Sequence, residues 1–362
     1  MTMTRLVPIQ AEDYPTLATF CATFPGDTLG AEPWEHRFRF WWEENPAFHG
    51  EWVRGWSLLD GTRVVGMLAD IPSHIQLLGH ETTVSNLAAW RVLPEYQQES
   101  SRLLATLLAD ARARPVFNTT ATPQLATLLR SFRFRNLAEN VTEHLFVTHS
   151  TFLAWQLRQK KKLPGFLATP TAWCALHLQR AGALFEPAYT QEGLHIQIID
   201  SIGPEFDRLW QRTSTLFSFT HCRRAVDLQW IMRSHPLHPL LLCGCYTHHD
   251  TLIGYGLFVH RAVEHPVGAV HLLCLDLWSE WTTVTPYVAM IRGAIRYGAR
   301  NRLAMVIVPH YHDMIARAAR LSAMAVHRAS PATIYCRLPR GVALGISSEE
   351  SRLSGYFGDI IM

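Results

Sequence analysis

Two short stretches of this chain hold the residue types that chemistry needs. The first is "WRVLPEYQQESSRLLATLL", residues 90–108. It runs from an apolar segment through Pro94, Glu95 and Tyr96 into a polar run, then into a helical pattern. A strand, a tight turn and a helix start together offer a phosphate free amides and the positive end of a helix dipole. The turn has no glycine, and Ser100, Ser101 and Arg102 stand where small residues would let a phosphate approach. Serine can keep such a cradle if φ stays negative. Arg102 either clamps a phosphate as a fork or fills the cradle itself.

The second stretch is "VIVPHYHDM", which sets His310, Tyr311, His312 and Asp313 just past a strand pattern. The carboxyl end of a strand is where α/β sheets bind ligands. Asp276 ends a neighbouring strand at the same edge. His310, His312 and Asp276 suit substrate binding or proton transfer. A His-x-His pair alone is a weak metal signature, and no metal is expected. "RAVEHP" adds Glu264 and His265 in what reads as a solvated loop.

The elements that must position these residues form a faint repeat. "RLVPIQAEDYPTLATFCATF" (5–24) and "HIQIIDSIGPEFDRLWQRTSTLF" (195–217) each read as a short strand and an amphipathic helix. Downstream, each copy reads as an aromatic helix end, then Pro46 or Pro236, a strand, a turn at Asp60-Gly61 or His249-Asp250, and a second strand with Gly66 or Gly254. The first half continues as strand 83–93, helix 99–113, strand 115–120, helix 123–131 and strand 141–148. The second continues as strand 268–276, helix 284–299, strand 303–308, helix 311–323 and strand 332–338. The order β-α-β-β-β-α-β-α-β, read twice, predicts mixed sheets with parallel pairing at the centre and antiparallel pairing towards the edge. Phe38, Trp41 and Trp42 on "WEHRFRFWW" have core spacing, or with Arg37 and Arg39 could stack on a sugar or hold a phosphate.

Composition bounds the rest. The chain has 362 residues, 17% of them charged, with a net charge of +3. That length implies two domains, and so small a charge gives no argument for nucleic acid. The N-terminus shows no secretory h-region and no window is apolar enough to span a membrane, so a cytoplasmic protein is expected. The seven cysteines fit neither a disulfide framework nor a zinc ribbon, and Cys243 and Cys245 read as buried thiols. The expected domains are 1–150 and 193–340, with a helical linker at 151–192 and a tail at 341–362. Lys160, Lys161 and Lys162 in the linker are a solvated charge run, or part of a basic amphipathic surface for a membrane or an anionic substrate.

The strand order, with Val92-Leu93-Pro94-Glu95-Tyr96 followed by Gln97, resembles the GNAT (GCN5-related N-acetyltransferase) superfamily. The tandem arrangement is also similar to Fem-type transferases. The resemblance implies two GNAT-like α/β domains, each a mixed, mostly antiparallel sheet with a splayed parallel pair at its centre and helices around it. It implies acetyl-CoA, or another acyl-CoA, as co-substrate. The pantetheine arm would add to the strand at Trp90, Arg91, Val92 and Leu93. The pyrophosphate would meet Gln97, Gln98, Glu99, Ser100, Ser101 and Arg102. Glu81 beside the fourth strand and Asn118 ending the fifth are the implied catalytic candidates in the first half, joined by His310, His312 and Asp276 in the second. The acceptor would be a primary amine, on an amino sugar or a cell-envelope or polysaccharide precursor. An acyl carrier protein or aminoacyl-tRNA donor, and a non-catalytic scaffold, are the alternatives.

Overall fold

The structure is a computed structural model that describes residues 4–138, 141–185, 193–233, 239–262, 268–323, 325–330, 333–339 and 351–352. Glu264, His265 and nearly all of 341–362 lie outside the described residues. The chain divides into two compact units. One holds Met1–Glu139 and a segment that returns from Ala332, and the other holds Asn140–Pro331.

The first stretch of chain forms β1 (Arg5–Pro8), α1 (Tyr14–Ala22), α2 (Ala31–Trp41), β2 (Gly55–Asp60), β3 (Arg63–Leu77) and β4 (His80–Val92). It continues as α3 (Ser100–Asp110), β5 (Val116–Asn118), α4 (Pro123–Ser131) and β6 (Arg135–Asn136). Then come β7 (Thr142–Val147), α5 (Ser150–Lys161), α6 (Gly165–Phe185), β8 (His195–Ile198), α7 (Pro204–Thr213), β9 (Phe219–His221) and α8 (Ala225–Met232). The rest is β10 (Leu240–Tyr246), β11 (Leu252–Ala262), β12 (Val270–Ser279), α9 (Thr285–Arg300), β13 (Met305–His310), α10 (Asp313–Ser322), β14 (Val326–Ala329), β15 (Tyr335–Arg337) and β16 (Ser351–Arg352).

In the first unit the strands run in the order β1-β2-β3-β4-β5-β15-β6. Pairing is antiparallel from β1 to β4, parallel between β4 and β5, and antiparallel across β15. Asp60 pairs with Arg63 across a two-residue turn in which Gly61 takes φ +61°, the left-handed geometry such hairpins need. On one face, Leu103, Leu104, Leu107 and Leu108 of α3 pack with Leu58, Leu68 and Leu87 of the sheet. Tyr14, Phe38, Trp41 and Trp42 of the α1–α2 region form a second apolar layer, and Trp42 Nε1 donates to the Asp70 carbonyl at 2.9 Å. Trp41 and Trp42 are fully buried, so the core reading of that helix holds. Each such side chain contributes roughly 1.5–3 kcal/mol.

The second unit repeats the order as β8-β10-β11-β12-β13-β7-β14. Its core joins Phe146, Leu272, Val306 and Val308 to Met290 and Ile291 of α9 and Ile315 and Ala319 of α10. Cys243 and Cys245 are buried on β10, where burial pushes both thiols up to about 12. Residues 151–185 of the expected linker are the helical hairpin α5–α6 of this unit.

The exchange of last strands departs from the sequence reading. The 141–148 strand, expected to close the first sheet, is β7, and it lies in the second sheet between β13 and β14. The 332–338 strand, expected to close the second sheet, is β15, and it lies in the first between β5 and β6. The β-branched and aromatic residues of "TEHLFV" mark a strand but do not say which sheet accepts it. Among the described residues no helix is long and apolar enough to cross a membrane.

Candidate functional site

The first sheet opens where β4 and β5 run parallel. β4 and β5 meet at Ser85↔Val116 and Asn86↔Phe117. β5 ends at Asn118, while β4 continues to Val92. On its other edge β4 pairs with β3 as Ala69↔Ala88 and then as Met67↔Arg91, so an extra residue is inserted in β4. Ala89 sits at that bulge with φ +43°. A non-glycine residue there costs on the order of 1–3 kcal/mol and persists where the surrounding structure enforces it. The bulge bends β4 and re-aims its backbone.

The result is a cleft of about 410 Å³, within the usual size of small-molecule sites. Leu87, Ala88, Trp90 and Val92 line it from β4, Asn118 from the end of β5, Thr120 from just beyond it, and Leu125 and Leu128 from α4. Among the described residues its lining holds no carboxylate, imidazole, amine or guanidinium. Asn118 is buried, and its Oδ1 has no hydrogen-bond partner. An unpaired buried carbonyl costs about 1–3 kcal/mol, and a ligand donor in the cleft would recover it.

The expected phosphate turn is built differently. Pro94–Glu99 form a 3₁₀ helix that runs straight into α3. Tyr96 N–H donates to the Leu93 carbonyl and Ser100 N–H to the Gln97 carbonyl. Glu99, at the cap position of α3, has helical φ −80° and ψ −10°. The amides are therefore taken up along a continuous helical path, not presented at a bare helix start. Gln97 Nε2 donates to the Val92 carbonyl at 2.6 Å. Gln97 and Ser100 reach the cleft, while Ser101 is exposed beside the Gln98 carbonyl. Arg102 is turned away from a phosphate role. Its Nη1 meets Glu99 Oε2 at 2.9 Å and both oxygens of Thr4 at 3.3 Å.

Arg91 is also committed elsewhere. It pairs with Asp27 at 2.5 Å and lies over the rings of Phe24 and Trp34. Burial pushes the Asp27 carboxyl up, but the Leu29 amide, the Trp34 indole and Arg91 together hold it below its usual value. Leu93 donates its N–H to the Val65 carbonyl. Glu81 is on the exposed start of β4. At about 3.3 Å per residue it lies roughly 20 Å before Leu87 along the strand, so the structure does not bring it to the cleft.

The three second-unit candidates do not form one site. Asp276 is buried in an ion pair with Arg223, at 2.8 and 3.2 Å, and accepts the Tyr255 hydroxyl at 2.8 Å. Arg223 in turn lies over Trp278. This network satisfies a buried charge. His312 caps α10 by accepting Met314 N–H at 3.1 Å. His310 instead packs against His144. Among the described residues no three His, Cys, Asp or Glu side chains could hold a metal ion.

Asp70 escaped the sequence reading. It is buried in β3 opposite Leu87, accepts from Ser85 Oγ at 2.8 Å and pairs with Arg114 at 3.2 Å. Burial outweighs Arg114 and Ser85 and pushes the carboxyl up to about 7. A lone acid inside the apolar run "VVGMLADIP" was the available signal.

No family model and no curated protein matches the sequence. Solved structures do match the fold. A GCN5-related N-acetyltransferase from Anabaena variabilis superposes with TM-score 0.57 at 13% identity, over 93% of this chain and 73% of the other. A GCN5-related N-acetyltransferase from Kribbella flavida gives 0.53 at 12%, over 93% and 71%. Saccharomyces cerevisiae N-myristoyltransferase with bound myristoyl-CoA gives 0.54 at 9%, over 93% and 83%. Two mixed sheets of matching order, a bulged fourth strand and a splayed parallel pair give this chain the GNAT fold.

Proposed function

We propose that the first unit binds an acyl thioester along β4 and transfers its acyl group to a primary amine. The observation that carries this reading is the open edge of β4 beyond Ser85–Asn86, bulged at Ala89 and faced by the unpartnered Oδ1 of Asn118. An extended pantetheine arm satisfies such an edge by strand addition. The acyl carbonyl is then held beside Asn118, whose amide NH₂ can polarise it while Oδ1 accepts from the incoming amine. The amine attacks the thioester carbon, the C–S bond breaks, and the thiol leaves with the proton. With no titratable group in the described lining, the ammonium gives its extra proton to solvent before it enters, so the amine arrives neutral and the one proton it loses on attack leaves with the thiol.

Acetyl-CoA or a longer acyl-CoA is the simplest donor, and a solved structure of the same fold carries myristoyl-CoA. An acyl carrier protein is the second reading. It is favoured by the closed 3₁₀ turn and by Arg102 held on Glu99, which suit an arm without a gripped diphosphate. The acceptor class follows the expectation for this fold: a small-molecule amine, with amino sugars and envelope precursors as the first to try.

Thermal-shift titration with CoA, acetyl-CoA, longer acyl-CoAs and a pantetheine thioester tests the reading, paired with thiol release in the presence of amines. Stabilisation by acyl-CoA supports it. Stabilisation by the pantetheine thioester alone selects the carrier-protein donor. No stabilisation by any thioester sinks it and leaves a scaffold. Arg102→Ala is expected to leave thioester affinity within about twofold, because that side chain is already paired on the other side of the turn.

A further inference from the structure

The hairpin α5–α6 plays no part in the reading above, yet it carries the most apolar exposed surface described in the chain. Phe166 is 77% exposed, Trp173 57% and Leu167 46%. Ala168, Ala172 and Leu176 recur on the opposite face and pack inward. From Leu163 to Gln179 the sequence has no Asp, Glu, Lys or Arg. A helix face turned to water ordinarily carries charge. Clustered exposed aromatics mark an interaction surface.

Two observations say what covers it. First, cations gather where α6 begins. Lys161 and Lys162 are exposed just before the turn. Arg158 lies against Gly165, where a Cβ would stand 3.6 Å from its Cζ. Second, Trp173 also lines a recess of about 260 Å³. Its polar wall is His149, Ser150, His177 and Arg302. An apolar face bordered by cations, with a polar recess that holds Arg302 beside it, matches a layer that is apolar below and anionic at its surface. We propose that the outward face of α6 docks on an anionic lipid surface, with Phe166, Leu167 and Trp173 at the acyl boundary and Lys161, Lys162 and Arg302 among the headgroups. The helix lies on the bilayer and does not cross it, as interfacial helices with aromatic and lysine faces do.

Co-sedimentation of the full chain with vesicles tests this. The protein is expected to pellet with phosphatidylcholine vesicles containing phosphatidylglycerol, and less with phosphatidylcholine alone. Phe166→Glu with Leu167→Glu should lower partitioning at least tenfold. Lys161→Gln and Lys162→Gln should lower it about fivefold each, an effect that salt removes from the wild type. All four positions are exposed, so melting temperatures should match the wild type, which separates docking from unfolding. Wild-type protein that stays in the supernatant with anionic vesicles overturns the proposal. So does the double glutamate variant pelleting like the wild type. A wild-type dimer that the glutamate variant dissolves, with no vesicle binding, would assign the face to a second copy of the chain and overturn it too.

Discussion

Asn118, the last residue of β5, pairs with Tyr335 of β15, a strand that arrives from the far end of the sequence. One wall of the cleft is thus set by a segment that the order of elements assigns to the other half of the chain. Tyr335 is buried, its hydroxyl accepts from Arg130 Nη2 at 3.1 Å, and it packs in the α3 core with Leu87 and Val92. Tyr335→Ala should cost about 3 kcal/mol and weaken thioester binding through Asn118. Tyr335→Phe should keep binding and lose about 1 kcal/mol. Denaturant melts and thioester titration of both variants check this pair.

Ala89 makes a prediction of opposite sign. At φ +43° it is strained, and glycine adopts that geometry freely. Ala89→Gly should stabilise the first unit by up to about 1 kcal/mol with the cleft unchanged. Ala89→Val, β-branched, should destabilise by a similar or larger amount and lower thioester affinity, since relaxing it irons out the bulge. Equal stability of the two variants would show that the bulge does not depend on this residue.

The elements were legible because hydrophobic period reports them. Leu103, Leu104, Leu107 and Leu108 announce α3, and Asp60-Gly61 announces the β2–β3 turn. The fold was legible from element order. The partner of a strand was not, because β7 and β15 satisfy either sheet by pattern and only their tertiary pairing decides. Within the candidate site only Trp90 and Val92 of the strand segment Trp90–Leu93 line the cleft, because alternate residues of a strand point to opposite faces. Side-chain roles fared worse. Arg91, Arg102 and Asp276 look like ligand residues in sequence, yet each is held by a partner far away or a turn away: Asp27, Glu99 and Arg223. Asp70 and Asn118 differ only in burial from many solvated polar residues, and burial is not written in a short motif.

The pH dependence of the two units should run in opposite directions. Burial, then His327, His310 and Arg320, pull the His144 imidazole down to about 4. Its ring lies 4.3 Å from His327 and 5.2 Å from His310 between centroids. The unfolded chain therefore binds more protons than the folded one between about pH 6.5 and 4, and the second unit loses stability as pH falls through that window. Asp70 is the converse. Its folded value of about 7 exceeds the unfolded 3.8, so the folded chain holds the extra proton. The first unit loses stability as pH rises from about 4 to about 7. Thermal melts with two resolved transitions should show the slopes crossing. His144→Phe should flatten only the second and Asp70→Asn only the first. Parallel slopes in the wild type would contradict both assignments.

Asn118 offers a test in which stability and activity part. Its Oδ1 is buried without a partner, which disfavours the folded state unless something in the cleft donates to it. Asn118→Leu removes that carbonyl at similar volume, so the variant should unfold at equal or higher denaturant concentration than the wild type. The same change removes the donor and acceptor beside the thioester. Acyl transfer should fall at least tenfold, the worth of about 1.4 kcal/mol, and the thioester-induced rise in melting temperature should shrink with it. A residue that merely fills space would lose neither. A variant both more stable and less active is the signature of a polar group kept for its ligand. Asn118→Asp sharpens the point: a carboxylate there accepts from an amine but cannot polarise a carbonyl, so amine affinity should persist while turnover does not. If Asn118→Leu instead destabilises the protein and leaves turnover intact, Asn118 is a structural residue and the reacting carbonyl lies elsewhere along β4.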